Sequence, residues 1–176
     1  MASEKKKVVI FDSDGVLLDT VKLVESTAPW LAKLREKPKL YNLMRELVIL
    51  YCADRICDGK LADLPDGKAT IECIDKMVDD KFVVTKRPFV FGVKKRLMRQ
   101  LDYVYGEGVF KPKNVYSSFF SKNKADVIRR KILEPEMVGI MLDDNINNLY
   151  DMPEEIMAVL MDCESLSRLT QLVSEL

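Results

Sequence analysis

The chain has 176 residues, 48% of them hydrophobic and 32% charged, with a formal net charge of zero; this suits one domain with a real core and excludes a disordered chain. No uncharged apolar run reaches the roughly 18 residues of a membrane span, and the apolar run behind Lys5-Lys6-Lys7 is too short for a signal peptide, so a cytoplasmic protein with no membrane partner is expected. There is no histidine, and Cys52, Cys57, Cys73 and Cys163 lack C-x-x-C spacing; a zinc site and any Ser-His or Cys-His nucleophile pair are excluded, the cysteines read as buried reduced thiols, and carboxylates must carry any catalysis.

Val8-Val9-Ile10-Phe11 is a continuous apolar run, β-branched at three positions, and reads as a strand buried on both faces. Asp12 ends it. Asp14 follows, and Gly15 can take backbone angles closed to other residues, so the chain can turn sharply past the strand end. Two carboxylates therefore sit at the mouth of a buried sheet, where like charges need a cation or a shared proton to coexist.

Residues 20–77 read as a helical insertion without a convincing strand. Thr20 to Glu25 make a first turn or two, Ser26 or Thr27 ahead of Pro29 reads as an N-cap, and Pro38 ends that helix. A second helix is expected from about Leu40 to Ile56, with Leu40, Leu43, Met44, Leu47, Leu50 and Tyr51 on one apolar face. After the turn signals Asp58-Gly59 and Pro65-Asp66-Gly67, Thr70 to Val78 forms a short helix with Ile71 and Ile74 inward.

Strand character returns at Lys81 to Thr85, followed by a helix with Val93, Leu97, Gln100 and Leu101 on one side that Gly106 and Gly108 close. A third strand over Val115 to Phe120 leads to a helix over Ala125 to Leu133. The fourth, Val138 to Asp144, again ends in aspartates, and a fifth over Ile156 to Met161 precedes a closing helix from Ser165. Strands alternating with helices indicate an α/β fold, a parallel five-stranded sheet with helices on both faces and its polar strand ends on one rim. The zero net charge conceals a segregation: Lys81 to Lys131 holds fourteen Lys and Arg against three acids, whereas Ile132 to Glu164 holds nine acids and no Lys or Arg.

Asp12-x-Asp14-Gly15 closing a hydrophobic strand, Thr85 ending a second, Lys124 at a helix start, and Asp143-Asp144 with Asn148 together resemble the four-motif signature of the haloacid dehalogenase-like superfamily. The resemblance implies a Rossmann-like core over residues 1–19 and 78–176, with a small helical cap over 20–77 inserted after the first strand. It also implies a Mg²⁺ cofactor: Asp12 is a ligand and the nucleophile, Asp14 lends its backbone carbonyl, Asp144 completes the protein share, and Asp143 stands behind or binds through water. Thr85, Lys86 and Lys124 hold the phosphoryl group, with Lys122 in reserve for Lys124, and Asn148 supports. Asp143-Asp144-x-x-x-Asn148 departs from the commoner Gly-Asp-x-x-x-Asp form.

A carboxylate can attack an anionic phosphoryl group only if that charge is neutralised. In the implied chemistry Asp12 forms an aspartyl-phosphate, and Asp14 protonates the leaving oxygen and then deprotonates water. This predicts a raised pKa for Asp14 from burial and its acidic neighbours, and a cation that keeps Asp12 ionised. The second aspartate favours phosphoryl transfer over dehalogenation. Expected substrates are small phosphorylated metabolites, with nucleoside or deoxynucleoside monophosphates favoured by the short cap, the basic edge and a loose similarity to 5'-deoxyribonucleotidases. Lys22 and Arg55 are expected to face substrate from the cap. A polynucleotide end, a sugar phosphomutase and a non-catalytic binding protein are the alternatives, and oligomeric state is left open.

Overall fold

The computed structural model describes residues 5–51, 59, 67–161 and 163–176. In chain order its elements are β1 (Lys6–Phe11), α1 (Thr20–Thr27), α2 (Pro38–Tyr51), α3 (Gly67–Met77), β2 (Asp80–Thr85), α4 (Val93–Tyr105), β3 (Val115–Ser117), α5 (Lys124–Lys131), β4 (Met137–Asp143), β5 (Ile156–Leu160) and α6 (Cys163–Ser174). All strand pairings are parallel, in the order β3-β2-β1-β4-β5, with Phe11 in register with Val83 on one side and Leu142 on the other. No helix among the described residues is long and apolar enough to cross a membrane.

Side chains alternate across the sheet, and both sides are covered. Val9, Phe11, Val83, Ile140 and Leu142 meet Ile71 and Ile74 of α3, Leu97 and Leu101 of α4, and Leu169 and Val173 of α6. Val8, Ile10, Phe82, Val84 and Met141 face the other way, onto Val127 and Ile128 of α5. A strand with apolar neighbours above and below carries no polar alternation, which is why β1 reads as an unbroken hydrophobic run. Phe11, fully buried and edge-on to Phe110 at 5.9 Å, is one anchor; truncating such an aromatic costs about 3–5 kcal/mol. The strand order also sends the basic segment to the β2-β3 edge and most of the acidic one to the β4-β5 edge.

The helical insertion differs from expectation in four respects. Asp19, not Ser26 or Thr27, is the working N-cap: its carboxylate accepts from Lys22 N at 3.0 Å, and α1 runs on through Thr27 into a short 3-10 turn from Pro29. Pro38 opens α2 instead of terminating its predecessor, since proline's missing N–H costs nothing in a first turn. The apolar stripe of α2 is rotated, with Leu40, Leu43 and Leu47 exposed, while Ile49 is buried with Val24, Ala28 and Leu31, supported by Tyr41, Met44 and Val48. Finally, α3 packs in the main core beside α6, so among the described residues the separate helical cluster comprises α1, the 3-10 turn and α2. Periodicity identifies an apolar face but not the neighbour that selects it.

Two local expectations also change. Cys73 is an exposed free thiol, because α3 spends its inward side on Ile71 and Ile74; Cys52 and Cys57 lie outside the described residues, as does the side chain of Cys163. Strand β3 stops at Ser117, where Ser118 N donates to Thr85 O and the chain turns, leaving Phe119 and Phe120 exposed.

Candidate active site

The site begins where β1 ends. Asp12 N donates to Leu142 O at 2.9 Å, extending the β1-β4 ladder by one step and fixing Asp12 at the central strand tip. The next residues double back: Leu18 N donates to Ser13 O at 2.8 Å and Gly15 N to Leu18 O at 2.9 Å, with Val16, Leu17 and Leu18 buried beneath. Gly15 makes this loop possible. Its φ is +88°, and a Cβ there would lie 2.0 Å from Asp144 Oδ2, so the end of β4 lies directly against the loop.

Lys124 joins the two central tips. Asn123 caps α5 by accepting from Asp126 N at 2.8 Å, which sets Lys124 as the first helical residue. The fully buried Nζ of Lys124 then reaches Asp12 Oδ1 at 2.8 Å and Asp143 Oδ2 at 2.6 Å. Asp143 Oδ1 accepts from Asn145 N and Asn148 Nδ2, both at 2.9 Å. Lys122 is exposed, so Lys124 is the lysine delivered to the site.

Asp14 sits in a different environment. Arg87 Nη2 donates to its Oδ1 at 2.6 Å and Nε to its Oδ2 at 2.9 Å, while Arg87 Nη1 donates to Gln100 Oε1 at 3.1 Å. Ser13 Oγ lies within hydrogen-bond distance of Asp14 Oδ2, at 2.9 Å, and of Thr85 Oγ1, at 2.7 Å, with one proton to donate to either. Thr85 Oγ1 also accepts from Arg87 N and lies 3.3 Å from Asp14 Oδ2. The Thr85 hydroxyl therefore reaches the site but is engaged by protein groups there.

These surroundings reverse the expected protonation pattern. Burial is the leading influence on Asp12; Lys124 opposes it, but Asp143 and Asp14 add to it, and the carboxyl is pushed up to about 7. Burial lifts Asp14 too, yet the Arg87 guanidinium, its hydrogen bonds and Ser13 outweigh it and hold that carboxyl below the ordinary aspartate value. For Lys124 burial favours the neutral amine, and the two carboxylates overcome it to keep the ammonium. The raised Asp14 expected from its acidic neighbours is thus corrected by Arg87, whose approach to Asp14 has no signal in the sequence.

Carboxylate oxygens of Asp12, Asp143 and Asp144 lie within 4.8 Å of one another. Opposite oxygens around one Mg²⁺ are about 4.2 Å apart, so an all-carboxylate set of this size fits a small hard dication. Asp143 is committed to Lys124 and the two asparagines, whereas Asp12 and Asp144 border open space. That space is a cleft of about 570 Å³, bordered also by Asp14, Asn148, Lys86 and Arg45. Like Arg87, Arg45 on α2 is not among the expected site residues, being one cation on a helix marked by its leucines. Lys22 does not line the cleft, and Arg55 lies outside the described residues.

No family model and no curated protein matches the chain. Among solved structures it is similar to a haloacid dehalogenase-like hydrolase from Burkholderia xenovorans LB400, with a TM-score of 0.57 at 14% identity, covering 97% of this chain and 98% of that one. A phosphoserine phosphatase from T. onnurineus aligns with a TM-score of 0.44 at 13% identity, over 100% of this chain and 98% of that one. The fold is that of the haloacid dehalogenase-like hydrolases: an α/β, Rossmann-like core with a parallel five-stranded sheet and a helical insertion after its first strand.

Proposed function

We propose that this protein is a Mg²⁺-dependent phosphomonoesterase that acts through an aspartyl-phosphate on Asp12, on a small phosphorylated metabolite such as a nucleoside or deoxynucleoside monophosphate. One observation carries the reading: the carboxylate of Asp12 stands at the central strand tip, beside a buried ammonium and within 4.8 Å of two further carboxylates, at the edge of a cleft. Packing gives no reason to bury such a set.

Asp12 and Asp144 would hold a Mg²⁺ ion, which would supply positive charge to keep Asp12 ionised and offset the charge on the phosphoryl oxygens. Asp12 Oδ bonds to phosphorus while the ester P–O bond breaks, and the departing oxygen takes a proton from Asp14. Asp14 is ionised on Arg87 in the free protein, so this acid role draws on the negative charge of the arriving phosphoryl group, which lifts its pKa. In the second half Asp14 accepts a proton from water as the water oxygen bonds to phosphorus and Asp12 is released. Lys124 holds Asp12 in place, Asn148 holds Asp143, and Asp143 in turn holds Lys124.

A phosphate-release screen over nucleotides, sugar phosphates and oligonucleotides tests this, with Mg²⁺ or chelator and with Asp12→Asn as the blank. Release that needs both Mg²⁺ and Asp12 supports it; an inert wild-type protein across the panel overturns it in favour of a binding protein. One feature favours a polynucleotide end as the second reading: Phe91, Phe119 and Phe120 are exposed on the loops that follow β2 and β3, beside the basic edge, as base-stacking surfaces are. Activity on oligonucleotide ends that exceeds that on mononucleotides and falls steeply with salt distinguishes it.

A further inference from the structure

The charges in the cleft fall into two groups. Near the strand tips, each cation has a protein carboxylate: Lys124 holds Asp12 and Asp143, and Arg87 holds Asp14. Arg45 on α2 and Lys86 just after β2 border the same cleft and make no ion pair or hydrogen bond among the described residues. Neither is needed to fix Asp12 or Asp14. Unpaired cations facing a concave surface concentrate anions, and a guanidinium matches the paired oxygens of a carboxylate or phosphate.

We propose that Arg45 and Lys86 form a second anion subsite, so that among small phosphorylated metabolites the preferred substrate carries a further anionic group, a carboxylate or a second phosphate, at its far end, and a plain nucleoside monophosphate is the poorer one. This deepens the phosphomonoesterase reading and rests on it. The rest of the lining agrees with a compact polar substrate: Asn145 and Asn148 offer amides, Ile146 and Leu160 offer aliphatic surface, and no aromatic ring borders the cleft among the described residues. A cleft of about 570 Å³ leaves room beyond one phosphoryl group. Because Arg45 belongs to the helical cluster and Lys86 to the core, a doubly anionic substrate bridges the two, whereas a singly anionic one touches the strand tips alone.

The experiment compares two matched pairs on the Mg²⁺-loaded full chain: a phosphorylated hydroxy acid against its methyl ester, and a nucleoside 3',5'-bisphosphate against the 5'-monophosphate. The wild type should prefer the extra anion by about tenfold or more in kcat/KM in at least one pair, and the responding pair identifies carboxylate or phosphate. Arg45→Gln should lower kcat/KM for that substrate about 30-fold, chiefly through KM, and for its singly anionic partner by no more than about threefold. Arg45→Lys should recover part of the loss, which a folding defect would not do. No preference in either pair, or equal losses from both members, overturns the subsite. Calorimetric titration of the Asp12→Asn protein with a carboxyalkyl phosphonate and with its uncharged ester separates this inference from the hydrolase reading. A binding preference that Arg45→Gln removes, without turnover on any substrate, leaves the subsite standing and the hydrolase reading refuted; no binding preference and no turnover refutes both.

Discussion

The strand tips and the cleft wall are neighbouring regions built on opposite plans. At the tips the protein supplies its own partners: one buried lysine spans two aspartates, two asparagine groups hold one of them, and an arginine grips a third aspartate. On the wall, Arg45 and Lys86 border the cleft without a protein partner among the described residues. Groups locked by their neighbours are positioned before any ligand arrives, which is what a reacting centre requires. Unpartnered groups discriminate instead, because only a suitable ligand completes them. The difference teaches that, on the proposed function, chemistry and selectivity would reside in separate parts of one cleft, the first in the sheet and the second partly in the inserted helices.

The largest effect should come from Asp12, the proposed nucleophile. Asp12→Asn keeps the shape but removes the attacking oxygen's charge, and kcat on an accepted phosphomonoester should fall about 10⁴-fold or more, measured as phosphate release. If the variant keeps substantial turnover, the tips are scaffolding and the proposed division of labour collapses. Lys124→Met tests the same locked network through stability. It strands Asp12 and Asp143 without their shared cation, and removing one member of a buried ion pair costs about 3–5 kcal/mol, readable as a lower midpoint in urea. A comparable change at Lys86 should leave the midpoint nearly unmoved, since exposed cations contribute little.

Gly15→Ala should destabilise by about 1–3 kcal/mol, because φ of +88° is strained for alanine and the new methyl meets the Asp144 carboxylate. Mg²⁺ should also stabilise this variant less than the wild type in thermal melts, as Asp144 is the group displaced. The subtlest test is pH. Asp12 keeps its proton to about 7 in the folded protein, against an ordinary value of 3.8, so between those values the folded state binds the additional proton and stability falls as pH rises. Asp12→Asn lacks that proton. In chelator, its Tm relative to wild type should therefore be higher at pH 8 than at pH 4, and Mg²⁺ at pH 8 should raise the wild type more than the variant. A constant difference across pH would mean that Asp12 is ionised throughout.

Much of the frame was legible because it depends on local pattern. The apolar run Val8 to Phe11, the aspartates that end it, and the second pair at Asp143-Asp144 mark two strand ends that a parallel sheet brings to one rim, and β1 and β4 do lie side by side. Lys124 could be favoured over Lys122 because a helix start was expected just there, and the Asn123 cap sets it. The inserted helices were harder to read. Leu40, Leu43 and Leu47 form a regular stripe, yet α2 turns Ile49 and its neighbours inward, since the partner helix and not the period chooses the buried side.

The sequence by itself determined the strands, their polar tips and hence a carboxylate centre able to hold a small hard cation, because strand burial and strand ends are written in residues adjacent along the chain. Tertiary structure alone decided that Arg87 would clamp Asp14 from 73 positions away, that burial would lift Asp12, and that Arg45 would stand over the cleft. Those outcomes depend on distances between remote side chains and on loss of water around them, and neither quantity exists until the chain has folded.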